Sequence, residues 1–509
     1  TLATLTNSST ATSVTVYGGI TLTQNGSGLY DIISQATGAT LTSTGVIANS
    51  ASGTPTQLQI GTSGNAGTII LGNGSASTYS GGTTVAYGTL RAAGNASAFG
   101  SAKVTVNDGA TLDVYGYGIG NAIDLSGTGV SSAGALQNTN TSQGSVPTLT
   151  GTITLLASSS LGGTANYILD SASSNISGSG KALTKVGSNT ITLNDANTYT
   201  GGTTVNAGIL KAGNNGAVGS SGTVVIASTG TLDVAGFVID RPITLNGGVV
   251  LSSTGSTGRV TGGIALGSAN SYFAAGSGAV LTVDTIAITE GSSGYVAVSG
   301  TSGNTGTVVF STANTYTGGT TVAYGTLRAG HLSAFNTAKV TVNDGATLDV
   351  YGYAIANDID LSGTGVSSAG ALQNTNTSQG SVPTLTGTIT LLASSSLGGT
   401  ANYILDSASS NISGSGKALT KVGSNTITLN DANTYTGGTT VNAGILKAGN
   451  NGAVGSSGTV VIASTGTLDV AGFVIDRPIT LNGGVVLSST GSTGRVTGGI
   501  ALGLSLIHI

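Results

Sequence analysis

Short runs in which apolar residues alternate with Thr, Ser or Asp recur along the chain. One run extends from Val104 to Val114 and reads Val-Thr-Val-Asn-Asp-Gly-Ala-Thr-Leu-Asp-Val, and another extends from Val224 to Val234. An alternation with a period of two places every second side chain on one face of a strand. The interruptions Asn-Asp-Gly and Ser-Thr-Gly are typical of tight turns. Each run therefore predicts a short strand, a turn and a second short strand.

Many short strands at this density are compatible with a β-sandwich, an array of barrels or a solenoid. Few connections are long, the chain has only 5 Pro, and the short repeats resemble one another. In a solenoid each strand pairs in register with its copy one turn later, so a narrow core of Val, Ile and Leu continues along the chain. We therefore predict an all-β fold, an elongated parallel β-helix (β-solenoid) of stacked short strands. At roughly 20 to 25 residues per coil it would have about 20 to 25 coils and a length on the order of 100 Å.

The chain contains a long internal duplication and a shorter period within it. Residues 123–267 recur letter for letter as 359–503, an offset of 236, and a few upstream differences such as Ala122 against Asp358 indicate two genuine copies. The shorter period is marked by a Thr-Tyr string whose tyrosines are separated by 120, 117 and 119 residues. The predicted organisation is N-terminal β-helix coils with a truncated start over residues 1–76, a first long repeat over 77–313, and a second, near-identical long repeat over 314–503.

The last six residues, 504–509, end the duplication abruptly. They match a translation of a sequencing adapter, and the chain has no initiating Met. We expect residues 504–509 to be an adapter scar and the chain to be a fragment open at both ends.

The composition favours strands that bury small side chains. The chain has 86 Gly in 509 residues, with 6% charged and 4% aromatic residues, yet 38% of it is apolar. Gly, Ser, Thr and Val are poor helix formers, and the apolar content is too high for a disordered segment. Val, Ile and Leu must therefore form the core.

Charge and cysteine content exclude several classes of function. The net charge is −4 with Lys and Arg isolated from one another, so no basic stripe is present for nucleic acid, and no apolar stretch is long enough for a transmembrane helix. The absence of Cys excludes a disulfide framework or a thiolate metal site and is compatible with export.

One string within the shorter period is specific. It reads Asn-Thr-Tyr-Thr-Gly-Gly-Thr-Thr-Val-Asn-Ala-Gly at Asn197–Gly208 and Asn433–Gly444, and it appears in variant form at Ser77–Gly88 and Asn314–Gly325. With its flank from Leu183, the string resembles the autotransporter-associated β-strand repeat, also called the passenger-associated transport repeat. The motif residues, taken as structural, are Tyr79, Gly81, Gly82, Tyr199, Gly201, Gly202, Tyr316, Gly318, Gly319, Tyr435, Gly437 and Gly438.

The resemblance implies a secreted or cell-surface passenger of a Gram-negative bacterium with a right-handed parallel β-helix. It also implies a role of the repeat in transport and folding through the outer membrane. The implied partner is the protein's own C-terminal outer-membrane β-barrel, which this sequence does not contain, and host or cell-surface glycans or proteins are further candidate partners.

Candidate chemistry is sparse, and we predict no catalytic residue, no metal site and no cofactor. The two histidines are His331, in a loop-like stretch, and His508, within the expected scar. The Asp of the recurrent Thr-Leu-Asp-Val string suggests a calcium ladder, but the simpler interpretation has Leu pointing in and Asp pointing out. The adjacent Asp240 and Arg241, with their copies Asp476 and Arg477, are expected to form a salt bridge at a turn. The motif tyrosines are expected to fill the interior or cap a turn.

Three functional hypotheses remain open. The first is the stalk of an autotransporter passenger that displays or forms an adhesive surface and is not an enzyme. The second is a β-helix enzyme acting on polysaccharide, with its site outside or hidden in this chain, which would need clustered carboxylates. A remote third is an ice-binding or other surface-array protein, because Thr-x-Thr pairs such as Thr152 and Thr154 occur.

Overall fold

A computed structural model describes residues 4–8, 13–22, 31–50, 55–72, 74, 76–171, 176–267, 270–290, 295–298, 302–378, 380–407, 412–489 and 493–503. The expected scar at 504–509 lies outside these residues. The prediction of an all-β parallel solenoid is confirmed, since the described residues contain β-strands, two short 3₁₀ turns and no α-helix. The chain divides into two compact units, residues 1–249 and 250–509.

The first unit contains 23 of the described strands and one 3₁₀ turn at Val130–Ser132. Its strands are β1 (Thr4–Asn7), β2 (Val14–Val16), β3 (Ile20–Leu22), β4 (Asp31–Ser43), β5 (Ile47–Asn49), β6 (Leu58–Ile60), β7 (Ala66–Leu71), β8 (Thr83–Val85), β9 (Thr89–Ala92), β10 (Val104–Val106), β11 (Thr111–Asp113), β12 (Ile123–Gly127), β13 (Leu136–Asn138), β14 (Thr148–Leu149), β15 (Ile153–Gly163), β16 (Tyr167–Leu169), β17 (Ile176–Ser177), β18 (Leu183–Lys185), β19 (Thr190–Leu193), β20 (Thr203–Ala212), β21 (Val224–Asp233), β22 (Val238–Ile239) and β23 (Ile243–Asn246).

The remaining described strands follow from Val249 onward, with a second 3₁₀ turn at Val366–Ser368. They are β24 (Val249–Ser252), β25 (Thr257–Val260), β26 (Ile264–Leu266), β27 (Ser271–Ala275), β28 (Val280–Val283), β29 (Ile288–Glu290), β30 (Val296–Val298), β31 (Thr307–Phe310), β32 (Thr320–Val322), β33 (Thr326–Ala329), β34 (Val340–Val342), β35 (Thr347–Asp349), β36 (Ile359–Gly363), β37 (Leu372–Asn374), β38 (Thr384–Leu385), β39 (Ile389–Gly399), β40 (Tyr403–Leu405), β41 (Ile412–Ser413), β42 (Leu419–Lys421), β43 (Thr426–Leu429), β44 (Thr439–Ala448), β45 (Val460–Asp469), β46 (Val474–Ile475), β47 (Ile479–Asn482), β48 (Val485–Leu487), β49 (Arg495–Val496) and β50 (Ile500–Leu502).

Parallel pairing between successive coils builds the core of the first unit as columns of aliphatic residues. Val85, Val106, Leu125 and Leu155 are successive partners across β8, β10, β12 and β15. All four are at most 2% exposed. A second column joins Leu90, Leu112, Leu136 and Leu161. Because each strand pairs with the coil before and the coil after, its backbone donors and acceptors are satisfied while its apolar side chains stack inside.

The second unit repeats the same arrangement. Val322, Val342, Leu361 and Leu391 form one column. Leu327, Leu348, Leu372 and Leu397 form the other, and all eight residues are buried. Each unit is therefore a parallel β-solenoid with a narrow aliphatic core.

The two runs that predicted strand, turn and strand fold differently. The run from Val104 forms β10 and β11, separated by a turn in which the Ala110 amide donates to the Asn107 carbonyl at 3.0 Å and Gly109 has a φ of 76°. The run from Val224 instead forms the single strand β21, with a register shift against β20. Gly230 does not adopt the left-handed conformation that Gly109 has, so the chain passes the corner as a bulge without a turn.

Coil length varies more than the sequence pattern predicts. Thr203 pairs with Val224 and Val104 with Ile123, which are coils of 21 and 19 residues, but Ile123 pairs with Ile153, a coil of 30 residues. The additional residues of this coil include the loop 139–147 between β13 and β14.

Close approach of neighbouring coils yields the first prediction, made for Gly201. A β-carbon at Gly201 would meet backbone atoms of the previous coil and lie 2.6 Å from the amide nitrogen of Ala182. Backbone atoms cannot move aside as a flexible side chain can, so Gly201→Ala should lower the free energy of unfolding by about 1–3 kcal/mol. Urea unfolding of the chain followed by circular dichroism measures this effect.

The matched control is Gly144→Ala, because a β-carbon at Gly144 meets nothing within 4 Å. The expected result is an unchanged urea midpoint for Gly144→Ala and a lower one for Gly201→Ala. Equal midpoints for the two variants would show that the coils do not approach as closely as described.

Candidate functional site

The tyrosines of the repeat motif lie in the solenoid interior. Tyr79, Tyr199 and Tyr435 are 0% exposed and Tyr316 is 1% exposed. Each hydroxyl lies 2.5–2.7 Å from the Thr hydroxyl four residues later. In the motif copy at Asn197–Gly208, Thr203 donates its own hydroxyl proton in a hydrogen bond to the Val218 carbonyl at 2.8 Å, so the Tyr199 hydroxyl is the donor of the pair. Burial raises the pKa of these tyrosines well above the usual value, which keeps them uncharged.

An asparagine two residues before the tyrosine links three successive coils. The Asn197 Oδ1 accepts from the Ile176 amide at 2.7 Å, and its Nδ2 donates to the Ala217 carbonyl at 2.6 Å. Asn314 and Asn433 make the equivalent pairs of bonds. The motif copy at Ser77–Gly88 has Ser77 at this position, and its buried hydroxyl has no hydrogen-bond partner among the described residues. This asparagine lies within the motif string, but its contacts with two other coils cannot be predicted from the string alone.

The two glycines of the motif serve different needs. Gly201 sits against the backbone of Lys181 and Ala182, and its amide donates to the Lys181 carbonyl at 2.9 Å. Gly202 has a φ of 87°, a conformation that residues with a β-carbon rarely adopt. The Gly-Gly pair therefore brings the chain against the previous coil and then turns it into the strand that starts at Thr203.

A buried lysine lies next to the motif in two of the four repeats. Lys185 is 1% exposed, and its ammonium donates to the carbonyls of Val186 and Gly187 at 2.8 Å and of Ala207 at 3.0 Å. Lys421 makes the same three bonds in the second unit. Among the described residues no carboxylate lies within 4 Å of either ammonium. Desolvation lowers the pKa of both lysines to about 8.

The other two repeats have an aliphatic residue in place of this lysine. Lys185 pairs with Val205, whereas Ile60 pairs with Val85 and Val298 pairs with Val322 at the same register position. Ile60 and Val298 are fully buried. The lysine is thus a variation on an apolar core position, with carbonyl oxygens taking the place of a counter-ion.

The aspartates of the Thr-Leu-Asp-Val string are buried, although their outward direction in the predicted strand suggested exposure. Asp113 and Asp349 are 1% exposed, and Asp233 and Asp469 are 3% and 4% exposed. Asp113 binds Arg91 of the previous coil at 2.9 Å, and Asp349 binds Arg328 in the same way. These partners are 22 and 21 residues apart, one coil, so the charge pairs become visible only once the coil length is known. Among the described residues no group of three or more potential ligands could hold a metal ion.

The remaining candidate residues have local structural contacts. The predicted salt bridges are confirmed, with Arg241 and Asp240 2.9 Å apart and Arg477 and Asp476 2.7 Å apart. Arg241 also donates to the Ser220 carbonyl of the previous coil at 2.7 Å. The Nδ1 of His331 accepts from the Ser333 amide at 3.0 Å, and His508 lies outside the described residues.

The tyrosine–threonine pair gives a second prediction. Replacing Tyr199 by Phe removes one buried hydrogen bond and leaves the ring in place, so the free energy of unfolding should fall by about 1 kcal/mol. The control is Tyr17→Phe, because the Tyr17 side chain is 84% exposed. Denaturant unfolding of the two variants in parallel measures the difference, and a destabilisation equal to that of the control would contradict a contribution from the pair.

The buried lysines give a third prediction, on pH. The unfolded chain has ordinary lysines, with a pKa near 10.5, whereas in the folded chain the pKa of Lys185 and Lys421 is about 8. Between these values the unfolded state binds more protons, so the free energy of unfolding should rise as the pH increases from 8 to 10. Above pH 10 the buried tyrosines act in the opposite direction, because their raised pKa keeps them protonated only in the folded state.

The double variant Lys185→Ile and Lys421→Ile places the residue found at Ile60 in both positions. It should abolish the rise in stability between pH 8 and 10, while Lys103→Gln with Lys339→Gln, at side chains 54% and 52% exposed, should retain it. Urea unfolding at a series of pH values tests this, and the same rise in the isoleucine variant would assign the pH dependence to other groups.

Comparison of the sequence with known protein families identifies the same repeat that the motif string predicts. The family model described as Passenger-associated-transport-repeat matches residues 65–92, 183–212, 304–329 and 419–448, about a fifth of the chain. These matches include or overlap all four strings predicted from the sequence. Each match ends at the last residue of β9, β20, β33 or β44. β20 and β44 directly follow the Gly-Gly turn, whereas β8 and β32 precede β9 and β33 in the other two copies, so the family pattern includes the buried Tyr–Thr pair and the strands on either side of it.

A similar protein is known from Brucella suis biovar 1 (strain 1330), under the name Adhesin BmaC autotransporter. It is 31% identical over an alignment of 534 positions that includes 95% of this chain. The chain spans 14% of the length of that protein. The four repeat matches confirm the prediction that the chain carries passenger-associated transport repeats, and the protein to which it is similar is named an autotransporter.

Proposed function

We propose that the chain is part of the stalk of a bacterial cell-surface passenger that folds outside the cell and supports adhesion. The observation that carries this proposal is the position of the four matched repeats, which are ordinary coils of the solenoid with buried motif residues. A repeat that forms coils lengthens the stalk without creating a site. The similar protein from Brucella is itself named an adhesin.

The contacts of the solenoid suit a chain that folds as it emerges from a pore. Each coil bonds to partners about 19–30 residues away, so a newly exported coil can add to the coils already folded without waiting for distant segments. The chain also has no Cys that could be cross-linked before export. We propose that the exporting partner is the protein's own outer-membrane β-barrel, as in other autotransporters.

A non-catalytic role fits the chemistry of the described residues. Asp113, Asp124, Asp284 and Asp349 each form an ion pair with Arg or Lys of the previous coil. Hydrolysis of a glycosidic bond needs two carboxyl groups flanking the bond.

Within the described residues no helix has the length and apolar character needed to cross a bilayer.

Surface display in a Gram-negative host tests the proposal as a fourth prediction. The chain is placed between a signal peptide and an autotransporter barrel, and exposure on intact cells is measured by antibody labelling and by protease digestion. We expect efficient exposure, a protease-resistant product, and binding of the displaying cells to host cells several-fold above cells that display an unrelated soluble domain.

The control for folding carries Gly201→Ala and Gly437→Ala, which place a β-carbon against the previous coil in both copies. It should reach the surface less efficiently and be digested more rapidly. Retention of the unchanged chain in the periplasm would overturn export as the role of the repeats. Efficient display without any gain in cell binding would overturn adhesion and leave a spacer.

A further inference from the structure

A polar cleft opens where one coil of the first unit is lengthened. The loop 139–147 stands beside the turn at residues 164–166, and together they enclose a cleft of about 270 Å³. The second unit has the corresponding cleft of about 260 Å³, and its nine lining residues are the counterparts of nine of the eleven that line the first cleft. The polar side chains that line the first cleft include those of Asn138, Thr141, Gln143, Ser145 and Asn166.

A buried charge pair fixes the start of the loop. Asp113 accepts from the Thr139 amide at 3.1 Å and from the Thr139 hydroxyl at 2.5 Å. It also accepts from the Tyr115 amide at 3.1 Å and from Arg91 at 2.9 Å. The Arg91 guanidinium lies 4.6 Å above the Tyr115 ring. Because Asp113 is 1% exposed, this arrangement holds the base of the loop at one position and cancels the charge beneath it.

Asparagine side chains hold the wall of the cleft. Asn138 Nδ2 donates to the Asn166 carbonyl at 2.8 Å, across the cleft floor. Asn140 Nδ2 donates to the Tyr115 carbonyl at 3.2 Å, and its Oδ1 accepts from the Ser142 amide at 3.0 Å. The loop is thus tied to the coil before it and the coil after it, so the cleft is formed before any ligand arrives.

The polar groups at the opening of the first cleft are uncharged, and their hydrogen-bonding capacity is not used by other described residues of the chain. Thr141, Gln143 and Ser145 are exposed, and their side chains make no hydrogen bond with any residue that the structure describes. They offer hydroxyl and amide groups that both donate and accept. Among the residues that the structure describes around the two clefts, none that lines them has a titratable side chain. Such a lining matches a ligand that is neutral and rich in hydroxyl groups.

An extended peptide is a poorer match. Peptides commonly bind a solenoid or sheet by adding a strand to a free edge. The strands beside the cleft, β13 and β16, are already paired on both sides, β13 with β11 and β15, and β16 with β14 and β19. Recognition here therefore depends on side chains, and the two cleft volumes lie just below the usual range of small-molecule sites, which suits one or two sugar rings at the end of a longer ligand.

We propose that each of the two clefts binds the neutral end of a saccharide chain, through Thr141, Gln143 and Ser145 in the first unit and through Thr377 and Ser381 in the second. This inference rests on the proposed adhesive function and names its ligand class. Duplication of residues 123–267 then gives the chain two equal sites, one in each unit.

The fifth prediction uses the whole chain and a panel of methyl glycosides of glucose, galactose, mannose and N-acetylglucosamine at millimolar concentration. Saturation-transfer NMR should detect binding of at least one of them. The double variant Ser145→Tyr and Ser381→Tyr, which fills both clefts from exposed positions, should lower the signal at least tenfold. Filling one cleft alone should reduce the number of bound ligands from two to one, as measured by titration.

The matched control is Ser221→Tyr with Ser457→Tyr, exposed serines of both copies that line neither cleft. It should bind as the unchanged chain does. Absence of binding by every neutral glycoside, binding restricted to an acidic sugar such as a methyl glucuronide, or equal binding by the filled-cleft variant would overturn the inference. Those results would leave surface display and cell binding intact, whereas failure of export would overturn the proposed function and not the cleft.

Discussion

In-register parallel pairing between successive coils is the constraint on which the rest of the structure depends. Residues one coil apart must share a column, so Val85, Val106, Leu125 and Leu155 stack because their strands pair in parallel. The spacing between paired strands, about 4.8 Å, leaves no room for bulky corners. Gly, Ser, Thr and Asn consequently occupy the turns. Continuous backbone pairing therefore requires many small residues at the corners. Because those residues bury little apolar surface, the interior must be stabilised by Val, Ile and Leu.

Local alternation was sufficient to predict the strands and the solenoid, but not how each corner is made. The Val104 and Val224 runs have the same pattern, yet one contains a turn and the other a continuous bulged strand. The difference depends on the conformation of one glycine, Gly109 or Gly230, and on the partner strand. Neither is encoded in the hydrophobic pattern, since both runs place the same faces inward.

Contacts one coil apart were the least predictable part of the candidate site. The Tyr–Thr pair lies within the quoted motif, but Asn197 contacts residues 21 and 20 positions away, and Asp113 contacts Arg91 at a distance of 22. Paired residues of successive coils are separated by 18 positions at Thr467 and Val485 and by 32 at Gly127 and Ser159, so a fixed period applied to the sequence does not align these partners. The long coil that carries the loop 139–147 reads in sequence as one more polar turn, and the cleft appears only in three dimensions.

The buried polar groups show how a coil can vary without losing its register. Lys185 occupies a column position that Ile60 and Val298 fill with apolar side chains, and it is tolerated because three carbonyl oxygens accept hydrogen bonds from its ammonium group. Those carbonyls belong to two successive coils, at the corner that contains Gly187 and at the one that contains Gly208, and a β-carbon at Gly208 would lie 2.8 Å from the ammonium nitrogen. The turn therefore determines which core side chains a coil accepts. Since pairing fixes the backbone and the turns fix the side chains, loops such as 139–147 are free to change, and variation in binding can accumulate there while the stalk is preserved.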